Sequence, residues 1–238
     1  MTTGDILRDS EQRQVEPQSA TKGFIRDNAL SLAMFGAFIL FLVLQSVFGW
    51  QVRNEELAEF GQAGDSYWHY LATGHFAEAV FENWESEFLQ MGAYVLLTAY
   101  LVQRGSAESK KPEQKDRPED EPDQAGPDAP QASKGHGFAQ AVYRNSLAIV
   151  LLAFFALSFV SHLLGGTADY NEQQALRGQP GVSAWQFLGS SDFWFQSMQN
   201  WQSEFLAVGA LVVLSIFLRQ HGSPESKPVT APHRQTGE

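Results

Sequence analysis

The chain has 238 residues, a formal net charge of −11 and a mean hydropathy of −0.23, values ordinary for a soluble protein, yet the average mixes two unlike populations. Residues 29–50 carry no charge, whereas residues 105–137 contain no Ile, Leu, Val, Met, Phe, Trp or Tyr and hold five of the ten prolines. The lack of Cys excludes disulfides, thiolate metal sites and a Cys nucleophile, and the acidic balance speaks against a nucleic-acid surface, which leaves a membrane protein with polar tails.

In chain order, a polar tail (1–23) leads into a first span at 29–50, whose 22 uncharged residues match the ~20 needed to cross a bilayer core. Its length and the polar stretch before it do not suit a cleaved signal peptide. An outer loop of about 33 residues follows. In it a polar helical stretch (54–60) meets a Gly-rich break, then the aromatic segment SYWHYL, then Thr73 as an N-cap for a helix over about 74–104. The second span, 88–103, is short, at ~24 Å against ~30 Å of hydrocarbon. The stretch 111–137 is Pro-rich and charged with nothing to bury, so it reads as a disordered linker. A third span at 145–168 and a second outer loop (171–177, then SAWQFL) lead to Ser191 as an N-cap for a helix over about 192–220. That helix contains the fourth span, 205–218, and a polar tail (228–238) closes the chain.

An internal repeat runs through this order. NWESEFLQMGAYVLLTAYLVQRGSAESK (83–110) matches NWQSEFLAVGALVVLSIFLRQHGSPESK (200–227) at 17 of 28 positions, offset by 117 with no gap. The same offset pairs Asn28 with Asn145, Gly49 with Gly166 and Trp68 with Trp185. The expected architecture is therefore all-α, with four transmembrane helices in two tandem hairpins, 24–110 and 138–227, that enter the membrane in the same direction. Of the 16 Lys and Arg, 14 fall on the side of the termini and linker, which places both termini in the cytoplasm. Trp50, Trp68, Trp84, Trp185, Trp194 and Trp201 all fall on the other side, as an aromatic anchor at the outer interface.

The paired N-W-[EQ]-S-E-F-L at 83–89 and 200–206 and the two G-S-x-E-S-K tails at 105–110 and 222–227 resemble a family of uncharacterised bacterial membrane proteins that bears only the description of a domain of unknown function. The resemblance implies a bacterial cytoplasmic membrane. It supplies no activity, substrate or catalytic residue.

The strongest polar candidates are Asn83, Ser86 and Glu87 with their counterparts Asn200, Ser203 and Glu204. Both units keep this set, whereas Glu78, Glu82 and Glu85 become Phe195, Gln199 and Gln202. Two such clusters about a pseudo-twofold would share a proton or a cation; the plainer reading is a hydrogen-bond knot between helices. His162 aligns with Gln45, and each suits a hydrogen bond across helices. His69 and His75 have no counterparts, and no metal or cofactor is expected. The aromatic segments read as interfacial anchors, with a cage of Tyr67, Trp68 and Tyr70 as the alternative. The G-S-x-E-S-K tails start at Gly105 and Gly222, which suit helix stops; their repeated Ser, Glu, Ser and Lys suggest a docking site for a cytoplasmic partner. The expected function is that of a non-enzymatic structural or accessory membrane protein; the alternative is a small proton or cation channel built on Glu87 and Glu204.

Overall fold

The computed structural model describes residues 20–113, 125–134 and 137–237. Most of the N-terminal tail and the centre of the linker, 114–124, lie outside the described residues. Among the described residues there are eight α-helices, one short 3-10 turn and no strand. The chain divides into two compact units at Asp65 and Ser66.

In the first unit α1 (Ala20–Asp27) precedes α2 (Ala29–Glu59). The expected span and the polar stretch after it form one helix of 31 residues, about 46 Å long against ~30 Å of hydrocarbon. Leu30, Phe35 and Phe41 stand exposed on it, as lipid-facing side chains do. The helix ends in a left-handed Gly61 (φ +68), with Gly61 N–H donating to Ala58 O and Gln62 N–H to Leu57 O. That is a Schellman stop, which needs a residue without a Cβ penalty at φ > 0. Asn54 then clamps the returning chain: its Oδ1 accepts from Asp65 N and its Nδ2 donates to Asp65 O.

The second unit contains α3 (Tyr67–Tyr70), α4 (Gly74–Tyr100), α5 (Phe138–Arg144), α6 (Ser146–Leu176), α7 (Ala184–Leu188) and α8 (Ser191–Phe217). Thr73 caps α4 as expected, its Oγ1 accepting from Phe76 N. The cap of α8 is Ser190 rather than Ser191: Ser190 is extended (φ −84, ψ 157) and its Oγ accepts from Phe193 N. Both long helices also stop earlier than expected, at Tyr100 and Phe217.

The G-S-x-E-S-K loops explain the early stop. Lys110 Nζ donates to Ala99 O, and Lys227 Nζ to Ile216 O at 3.1 Å. Ser109 and Ser226 accept from the N–H of Gln103 and Gln220; Ser106 and Ser223 accept from Glu108 and Glu225 N–H. The chain leaves each helix in extended form and turns at Gly105 (φ +88) or Gly222 (φ +80). The Gly residues thus serve the turn beyond the helix, and the Ser and Lys residues of the motif hold it against the last carbonyls.

Among the described residues three helices are long and apolar enough to cross a membrane: α2, α6 and α8. The fourth long helix, α4, equals α8 in length but carries Glu78, Glu82, Glu85 and Glu87 in its first half. In the second unit α4 packs along α6 and, less extensively, against α8. Small residues let α4 and α6 meet closely. A Cβ on Gly74 would lie 2.6 Å from Asp169 N, and one on Gly165 would lie 2.8 Å from Glu78 N. This contact aligns the C-terminal half of α6 with the acidic start of α4.

Candidate functional site where α4, α6 and α8 meet

Glu78, Glu82 and Glu85 are spaced i, i+4 and i+7, so they form one stripe on α4. The stripe faces inward: Glu85 is fully buried and Glu78 nearly so. Glu85 Oε2 lies 2.7 Å from Nδ1 of His162, itself fully buried on α6. Glu85 Oε1 accepts from the indole N–H of Trp201 on α8 at 2.9 Å. Both carboxyl oxygens are thus engaged, one by each neighbouring helix.

The other face of His162 continues the network. Its Nε2 lies 3.2 Å from Gln196 Oε1, and Gln196 Nε2 donates to Glu78 Oε1 at 2.6 Å. With the amide nitrogen on the carboxylate, its oxygen must accept from His162, so Nε2 carries a proton. One further proton is shared between His162 Nδ1 and Glu85. The imidazole stacks on the buried ring of Phe193, with centroids 4.8 Å apart. The chain Trp201–Glu85–His162–Gln196–Glu78 therefore links three helices through buried groups, where an unpaired polar group would be costly.

Glu78 opens onto a cavity of about 310 Å³. Asp169 of α6 forms part of its wall, with Tyr170, Phe187 and Asp192 around it. Burial, and then the nearby Asp169 carboxylate, push Glu78 up to about 7, against the opposing hydrogen bond from Gln196. Asp169 Oδ2 accepts from Gln173 at 2.6 Å, while its buried Oδ1 has no hydrogen-bond partner.

The residues singled out by sequence sit elsewhere on these helices. Asn83 and Asn200 donate to Ala79 O and Gln196 O, and Ser86 and Ser203 donate to Asn83 O and Asn200 O. Asn83, Ser86 and Ser203 turn back on their own helices, whereas the Asn200 side chain also hydrogen-bonds Glu82 of α4. Glu87 is exposed and Glu204 half-buried, and Glu87 feels the charge of Glu204. Trp68 and Trp185 are about four-fifths exposed, as anchors would be, but Trp50 donates to Asp65 O and Trp201 to Glu85. His162 makes the expected bonds across helices. Sequence reasoning passed over Glu85, Glu78 and Gln196 because it favoured residues shared at the 117 offset. The i, i+4, i+7 spacing of the acids was the signal that points to them.

One family model matches, over residues 21–238, and its description is a domain of unknown function. No curated protein and no solved structure matches the chain.

Proposed function

The chain belongs to the family described as Domain of unknown function (DUF6766), and from that premise we propose that it is a four-span protein of the bacterial inner membrane, built from two tandem two-helix repeats with both termini cytoplasmic. It acts as a non-enzymatic structural or accessory component that holds partner proteins through its outer loops. The duplicated architecture is supported by helix bounds: α2 and α6 each have 31 residues, α4 and α8 each have 27, and each pair starts 117 residues apart. The bias of Lys and Arg supports the orientation.

One observation carries the structural role over a conducting one: the buried polar groups of the Glu85–His162 network are consumed in joining helices. The network ends at the Trp201 indole, which donates but cannot accept and so passes no proton onward. Between His162 and Glu78 stands an amide, Gln196, which holds two neighbours in place rather than relaying charge. Glu85→Gln or His162→Phe therefore lowers the thermal stability of the detergent-solubilised protein, by about 3 kcal/mol for loss of one partner of a buried pair. In vesicles with an imposed pH gradient the parent carries no proton flux. A flux abolished by Glu85→Gln overturns this reading. The accessory role requires that the protein migrate from native membranes with a partner at fixed stoichiometry; migration alone overturns it.

The second reading, a small proton or cation channel, draws on the electrostatic coupling of Glu87 to Glu204. It requires an ion flux in reconstituted vesicles that Glu204→Gln removes.

A further inference from the structure

We propose that the cavity walled by α6, α7, α8 and the Glu78 face of α4 binds a small organic cation: a primary ammonium group on an apolar or aromatic stem. The inference concerns the second unit alone and does not depend on orientation in the membrane.

The first observation is Asp169. Its side chain belongs to a residue only 4% exposed, it lies on the cavity wall, and its Oδ1 has no hydrogen-bond partner. Buried carboxylate oxygens without a donor are rare and costly, and a ligand that donates removes the cost. The second observation is the neighbouring carboxyl. Glu78 gives Oε1 to Gln196, and none of the described residues donates to its Oε2. An ammonium group has three donors and no acceptor, so it can serve both oxygens at once. The third is charge. Glu78, Asp169 and Asp192 all line the cavity, and the only cation on its wall, Arg177, is exposed and forms no ion pair with them.

The rest of the wall selects the class of cation. Tyr170, Phe187 and Phe195 supply aromatic surface for an apolar stem and for a cation over a ring face. A volume of about 310 Å³ is at the small end of sites that hold organic ligands. A bare metal ion does not fit: among the described residues no three His, Asp or Glu lie close enough together to hold one.

The test is calorimetric titration of the full chain in nanodiscs with phenethylammonium. 2-Phenylethanol, which keeps the stem and lacks the charge, and sodium chloride serve as controls. Phenethylammonium binds saturably, 2-phenylethanol at least tenfold more weakly, and Asp169→Asn weakens the ammonium at least tenfold. Affinity rises with pH between about 6 and 8 as Glu78 ionises, its surroundings being Asp169 and His162 of α6, Gln196 and Asp192 of α8, Glu82 of α4 and the exposed Arg177. Glu78→Gln flattens that rise, and serves as the second variant if Asp169→Asn lowers the melting temperature. Equal binding of the ammonium and the alcohol, no binding at millimolar concentration, or full affinity in a well-folded Asp169→Asn protein overturns the proposal.

Discussion

Glu78 shows how one side chain ties stability to pH. Its carboxyl is held up to about 7, by burial first and by Asp169 second. The folded chain therefore keeps a proton that the unfolded chain releases from about pH 4.5 upward. The sign follows: this group's contribution makes the protein less stable as pH climbs from about 4.5 to about 7, with no further change above. Glu78→Gln should remove that slope. Thermal melts of parent and variant at pH 5 and pH 8 should then show a smaller pH difference in the variant; equal differences would refute the assignment. The same residue marks a limit of sequence reading. His162 was legible, because a polar group in an apolar span must find a partner. Glu78 and Glu85 were not singled out, since their counterparts Phe195 and Gln202 differ and a criterion of shared residues discards them. Apart from Trp201, which aligns with Trp84, the network is built from positions where the two halves differ: at the same offset His162 faces Gln45 in the alignment, and Gln196 faces Ala79.

At the scale of elements, the helix ends repay attention. Thr73 was readable as a cap from its side chain and its place before an apolar run. Ser190 and Ser191 are adjacent and equally suitable by type; only the extended backbone at Ser190 decides between them. The C-termini were misjudged because Gly105 and Gly222 look like stops, whereas the ammonium groups of Lys110 and Lys227 take carbonyls at Ala99 and Ile216, before those glycines are reached. The two lysines differ in burial, and their variants should differ accordingly. Lys110 is half-buried. Lys227 is 1% exposed and also donates to Gly105 O at 2.6 Å, His233 O at 2.9 Å and Gln235 O at 3.1 Å. Burial, and then the nearby Arg219, lower its pKa. Lys227→Met should cost about 3 kcal/mol, because it strands several carbonyls around one apolar side chain, while Lys110→Met should cost about 1 kcal/mol or less. Hydrogen exchange along residues 228–237 measures this: faster exchange in Lys227→Met and parent-like exchange in Lys110→Met are expected.

For the whole molecule, the uncharged runs were the clearest message in the sequence. They placed α2, α6 and α8 because a lipid-facing helix must be apolar on most sides, and that property is written in composition. Contacts across helices were not legible in the same way. The close approach of Gly74 and Gly165 depends on which faces meet, and a glycine in a span has many uses. Under the proposed orientation, reporter fusions after Gly237 and within 125–130 should both read cytoplasmic; a periplasmic signal at either would reverse the topology. Within the second unit, the loop at Gly105 is joined to residues far downstream: Gly105 N donates to Thr236 Oγ1 across 131 positions, and Gly237 N donates to Ser106 O. The first loop is therefore made long before its partners exist. At ribosomal speeds of roughly 5–20 residues per second it waits on the order of ten seconds, with its backbone groups unclaimed, until the later segment emerges. During that interval the loop is an unfinished surface, and its closure requires that both halves of the molecule have been made.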